Sequence, residues 1–174
     1  SSLMNDMRIA PRWAATPGPR LTLHHELNAR IAALMRHPWA RPRLTMGTGE
    51  ERIAVVASGV AHAYLLDVLN GLDRWPEVCL YKVDMPFPMD PGQLKRLAEK
   101  HQTVLVVEES EPVIEQQFPC RTKVRGRMDG TVPNAGELNP EIVMSLLDTV
   151  SGKARQGEAI EARKGRRPSL CAGC

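Results

Sequence analysis

Ile53-Ala54-Val55-Val56-Ala57, closed by Ser58-Gly59, is the stretch whose reading decides the fold. Five consecutive apolar residues without alternation describe a strand buried on both faces, and Gly59 punctuates its end. Ala61, Tyr64, Leu65, Val68, Leu69 and Leu72 then recur at helical spacing, with Gly71 and Asp73 near the close. Val78 to Val83 repeats the buried-strand pattern. Pro86, Pro88 and Pro91 break the chain before a helix lined by Leu94, Leu97 and Ala98 that runs through Lys100. Thr103 to Val107 is a third apolar strand, cut off by Glu108-Glu109-Ser110. Glu111 to Phe118 predicts a short helix with Pro112 at a tolerated early position. Thr122 to Arg127 predicts a fourth, more polar strand. Ile142, Val143, Leu146, Leu147 and Val150 mark the last helix, opened by Pro140. Strands alternating with helices predict a three-layer α/β/α domain with a mostly parallel sheet. Val55, Leu69, Val106 and Leu146 are expected in one core, with Val106 on its central strand.

Outward from this domain, taken as residues 43–150, the pattern fades. Residues 1–42 read as an irregular Pro- and Arg-rich arm followed by an amphipathic helix. Thr22 is placed to cap that helix, with Glu26 in its early turns. Leu23, Leu27, Ile31 and Leu34 form its stripe, and His37-Pro38 ends it. Pro38 to Pro42 is a connector, and Thr45-Met46-Gly47-Thr48-Gly49 has the glycine spacing of a turn. After Ser151-Gly152 the chain turns charged and loses apolar periodicity, so residues 151–174 read as a linker.

At 174 residues and 43% hydrophobic content, one core of ordinary size is within reach. The longest apolar runs fall well short of the roughly 20 residues that cross a bilayer. No secretory signal is visible at Ser1-Ser2-Leu3-Met4-Asn5. Of four cysteines, Cys79 lies inside a strand and Cys171 and Cys174 share one turn, a pattern that favours a reducing, cytoplasmic setting over a secreted disulfide set. The net charge of +3 is mild. Basic stretches at Arg121, Lys123, Arg125 and Arg127 and at 163–167 lack interleaved aromatics, which argues for solvated faces or an interface and against nucleic acid.

In parallel sheets ligands gather at the carboxyl ends of the strands. Here those ends are Ser58-Gly59, Asp84-Met85-Pro86 and Glu108-Glu109-Ser110. A glycine between strand and helix lets backbone N–H groups approach a phosphate, but one glycine meets neither the dinucleotide fingerprint nor the P-loop. The favoured reading of Gly59 is a tight turn. Glu108 and Glu109, with Glu111 and Glu115 nearby, suit a metal or acid–base pair. Adjacent residues at a strand end point apart, however, so a capping or interface role is favoured. His62, His24 and His25 are expected to be surface or packed residues. Cys79 reads as a small buried hydrophobe and Cys120 as a loop thiol. Cys171-Ala172-Gly173-Cys174 offers two thiolates on one turn, half of a zinc or cluster site or a redox pair. Nothing follows to complete it, so the chain is expected to be part of a longer protein.

Taken in order, Arg52 to Val60, Tyr64, and Val104 through Gln117 (VLVVEESEPVIEQQ) resemble the transketolase C-terminal-like domain of the 2-oxoacid:ferredoxin oxidoreductases. The branch most similar is the indolepyruvate:ferredoxin oxidoreductase alpha subunit. Gly136-Glu137-Leu138-Asn139-Pro140-Glu141 is similar to that family's segment before the last helix, and Pro88-Met89-Asp90 to its Pro-Leu-Asp turn. Arg167 to Cys174 resembles the lead into a second thiamine-diphosphate domain.

The resemblance implies a parent that decarboxylates an aryl 2-oxoacid such as indolepyruvate to an acyl-CoA. Its cofactors would be thiamine diphosphate, Mg2+ and a 4Fe-4S cluster, with none expected in this fragment. Its partners would be flanking thiamine-diphosphate-binding domains, a second oxidoreductase subunit and ferredoxin, with a homodimer left open and neither nucleic acid nor membrane involved. Cys171 and Cys174 resemble the first two cluster ligands of the wider family, although the indolepyruvate branch has Pro where Ala172 stands. The domain itself is then a non-catalytic structural or interface domain. The alternatives left open are a self-contained α/β module binding a small ligand and a small Cys-based redox or zinc protein.

Overall fold

The computed structural model describes residues 17–109 and 111–153. The chain divides into two compact units, Ser1–Pro38 and Trp39–Cys174. The first contains helix α1, Pro17–Met35, in which no residue is buried. It starts five residues before Thr22, whose hydroxyl bonds back to the Gly18 carbonyl at 3.4 Å and caps nothing. Prolines in a first turn remove only N–H groups that have no helical partner, so Pro17-Gly18-Pro19 begins a helix where an irregular arm was expected.

The second unit holds a five-stranded sheet. Its strands are β1 Arg43–Met46, β2 Ile53–Ser58, β3 Val78–Val83, β4 Thr103–Val107 and β5 Val124–Arg125, in the order β1-β3-β2-β4-β5. All pairs are parallel except β1 with β3. The helices are α2 Gly59–Gly71, α3 Pro91–Lys100 and α4 Pro140–Ser151. The mostly parallel α/β/α architecture expected from the sequence is the one observed.

Central β2 pairs on both edges, Val55 opposite Leu80 on one side and Leu105 on the other. That double pairing explains why Ile53 to Ala57 are all apolar and fully buried. Alternation along the strand then divides the interior. Ile53, Val55 and Ala57 face α2 and α4 with Leu65, Val68, Val143, Leu146 and Leu147. Ala54 and Val56 face α3 with Leu94, Leu97, Val104, Val106 and Phe118. The expectation of one core is therefore corrected. Val55 and Leu146 belong to one cluster, Leu69 packs half-buried against it, and Val106 lies in the other, on β4 rather than the central strand.

Helix starts follow their capping chemistry. Asp90 accepts the N–H groups of Gly92 and Gln93 ahead of α3, and Asn139 accepts that of Ile142 ahead of α4, each with proline next in sequence. Gly152 ends α4 in the left-handed conformation at φ 70°. Three elements differ from expectation. Arg43–Met46 is an edge strand that takes in the first two residues of the turn expected from Thr45 to Gly49. The 111–118 segment contains only a single 3-10 turn, Glu115–Gln117, and the fourth polar strand shrinks to Val124–Arg125. Among the described residues no helix is long and apolar enough to cross a membrane.

Candidate functional site at the carboxyl ends of the strands

From β2 the chain moves to β3 on one side, then returns past β2 to β4 on the other. This reversal falls between the carboxyl ends of β2 and β4, the place where α/β sheets hold ligands. Ser58, Gly59 and Glu108 stand at those ends. Ser58 precedes α2 without a side-chain bond to it, and Gly59 takes φ +54° with open space where a side chain would project.

Glu108 is buried, and its carboxylate faces inward. Oε2 accepts the Ile114 N–H at 2.8 Å and Oε1 the Glu115 N–H at 3.0 Å. Its carbonyl oxygen accepts Arg127 Nε–H at 2.8 Å. Burial pushes the carboxyl up from its ordinary value, against the pull of the two backbone N–H groups. Glu109 accepts the Leu138 N–H at 3.3 Å. Buried Glu115 accepts the Met128 N–H at 3.1 Å, and its carboxylate fills the space where a Gly126 side chain would stand. Asp84 pairs with Lys82 at 3.2 Å and Arg43 at 3.5 Å. Of the acids that looked available for a metal or for acid–base work, Glu108, Glu109 and Glu115 are thus engaged by backbone N–H groups of the chain itself, and Glu108 holds those of the short 3-10 turn. Ser110 lies outside the described residues.

Neither a magnesium–diphosphate group nor a cluster fits these residues. Among the described residues no three His, Cys, Asp or Glu side chains are placed to hold a metal ion. Cys79 is buried, and burial together with Glu51 pushes its thiol up to about 12, so it is a poor thiolate ligand. Cys120 is exposed and free. Cys171 and Cys174 lie outside the described residues.

His62 is buried on the first turn of α2, as a packed residue. The Thr45 hydroxyl donates to the Leu80 carbonyl at 3.1 Å, which leaves it to accept from His62 Nε2 at 2.9 Å. Burial, with Lys82 and Arg43 nearby, lowers the imidazole's pKa and favours the neutral ring.

Two polar groupings escape sequence reasoning. At the amino ends of the strands, His101 Nδ1 bonds the Glu51 carbonyl at 2.7 Å and Nε2 meets the Tyr81 hydroxyl at 3.3 Å. Glu51 Oε1 accepts the Thr48 N–H at 2.7 Å. On the other side, Asp148 accepts from Trp75 Nε1 at 3.1 Å and Arg74 at 3.0 Å. Partners more than 70 positions apart leave no local signal.

No family profile matches the chain. It is 30% identical over 142 residues to the indolepyruvate oxidoreductase subunit IorA of Methanothermobacter thermautotrophicus, covering 76% of this chain and 22% of that protein. The IorA of Methanothermobacter marburgensis is 31% identical over 134 residues, 72% of this chain and 21% of that protein. In fold, the chain is similar to a 2-oxoglutarate:ferredoxin oxidoreductase from Magnetococcus marinus at a TM-score of 0.55. That similarity holds at 12% identity and covers 80% of this chain and 24% of the other. The chain spans about a fifth of the length of the curated relatives it matches. Over some three quarters of its length the chain is homologous to a segment of the indolepyruvate oxidoreductase subunit IorA, and its mostly parallel α/β/α fold is shared with the 2-oxoglutarate:ferredoxin oxidoreductase.

Proposed function

We propose that this chain is the non-catalytic structural and interface domain of a cytoplasmic, thiamine-diphosphate-dependent ferredoxin oxidoreductase acting on an aryl 2-oxoacid of the indolepyruvate type. The observation that carries this reading is the 30% identity to IorA over 142 residues. The structural role draws support from the carboxyl ends of the strands, where Glu108, Glu109 and Glu115 are bonded to backbone N–H groups of their own chain.

In the parent enzyme thiamine diphosphate, held with Mg2+ by flanking domains, supplies the nucleophile and electron sink for decarboxylation. A 4Fe-4S cluster would supply the electron path to ferredoxin there, with coenzyme A as the acyl acceptor and a second subunit as partner. Cys171 and Cys174 are assigned to that cluster only in the full-length parent, where further thiolates complete the set. What this domain contributes is a rigid sheet against which the cofactor-bearing domains are positioned.

Calorimetry of the isolated chain with thiamine diphosphate and Mg2+, alongside dye reduction with indolepyruvate and coenzyme A, tests the proposal. No binding and no turnover are expected, while the full-length subunit with its partner should show both. Micromolar cofactor binding by this chain alone would overturn the non-catalytic reading.

A further inference from the structure

We propose that the domain docks on the remainder of its parent subunit through the carboxyl-end face of its sheet, by way of Phe87, Val113 and Met128; this rests on the interface role proposed above. These three side chains follow β3, β4 and β5, three parallel strands, and therefore lie at the same end of the sheet. Each is large and apolar yet 41–56% exposed. A single exposed apolar residue is ordinary, whereas several gathered on one face mark an interaction surface.

Hydrogen bonds between the loops stitch the three together. Gln117 Nε2 donates to the carbonyls of both Pro86 and Val113, each at 2.7 Å, while its Oε1 accepts the Met89 N–H at 2.8 Å. The residue after Pro86 is thereby held beside Val113. Glu115 then accepts the N–H of Met128 itself. Beneath them the Glu108 carboxylate holds the Ile114–Glu115 turn from within. The apolar side chains thus stand on loops already held by hydrogen bonds, so little ordering remains to be paid on contact.

The occupant is the apolar surface of another domain of the same subunit. This chain accounts for only 21–22% of the length of its curated relatives, which leaves some four fifths of such a subunit to cover that face.

Hydrogen–deuterium exchange on the isolated chain and on the full-length subunit decides the matter. Amides of residues 84–88, 111–117 and 126–129 should exchange at least about ten-fold more slowly in the full-length protein. The double variant Val113→Asp, Met128→Asp should keep the urea midpoint of the isolated chain and abolish that protection in the full-length subunit. Protection confined to another face would overturn the assigned surface while leaving the interface role standing. Protection nowhere would overturn both. Should the double variant unfold the isolated chain, the comparison of the unsubstituted proteins decides alone.

Discussion

Glu108 Oε2 accepts the Ile114 N–H at 2.8 Å, so the carboxyl end of a buried strand is closed by the chain's own backbone. The same carboxylate holds Glu115, and its residue's carbonyl holds Arg127. One strand-end residue thus organises the segments after β4 and β5.

Glu108→Ala should strand two buried N–H groups, at a cost of about 2 kcal/mol or more. Glu108→Gln retains an acceptor for one of them and should lose less. Urea midpoints for the two variants check this. Equal and negligible shifts would mean that the clamp does not hold the turn.

Glu51 gives the chain an acid-sensitive contact. Burial works against its charge, but the Thr48 backbone N–H leads the groups that hold its pKa down to about 2, against an ordinary 4.5. A carboxyl with a lowered folded-state pKa stabilises the fold above its unfolded value and loses that contribution as pH falls through the folded one. Stability should therefore decline between about pH 4.5 and pH 2. Glu51→Gln should flatten the decline, and it is read from urea midpoints across that window.

Asp148 ties the last helix to the loop before β3 through Trp75 and Arg74, and the guanidinium of Arg74 also lies 5.4 Å from the centre of the Trp75 ring. Asp148→Ala leaves the buried indole N–H without its acceptor and should cost about 1–3 kcal/mol. Asp148→Asn should recover part of that. Indole fluorescence followed through urea unfolding reports both.

Val106→Ala should cost roughly 2 kcal/mol from lost burial and the cavity left behind. Exposed Leu72 replaced by Ala should change stability by less than about 0.5 kcal/mol. Arg163, in the expected linker, lies outside the described residues and is likewise expected to matter little when replaced. Similar midpoint shifts for Val106→Ala and Leu72→Ala would contradict the two-faced sheet.

Cys171→Ser in the full-length parent should lower its iron content and slow ferredoxin reduction, with decarboxylation less affected. Iron analysis with stopped-flow reduction tests this. Unchanged iron and unchanged reduction would remove both cysteines from the cluster.

The sequence by itself determined the frame of β2, α2, β3, α3, β4 and α4. Each carries its signal in neighbouring residues: an apolar run for a buried strand, helical spacing for a helix, and for α4 a proline at its first turn. Tertiary structure alone decided the rest. Arg43–Met46 is a strand because β3 lies alongside to pair with it, a condition its four residues do not contain. Glu111 to Phe118 has helix-compatible residues, but Glu108 takes the N–H groups of Ile114 and Glu115 from outside and allows only one tight turn. The expected single core is two, because the sheet separates Val55 from Val106 and sends alternate residues to opposite faces. At the carboxyl ends, sequence located the acids and favoured capping for them. Which backbone N–H each one meets depends on loops brought together only when the sheet forms, because hydrogen bonds act at contact distance and not along the chain.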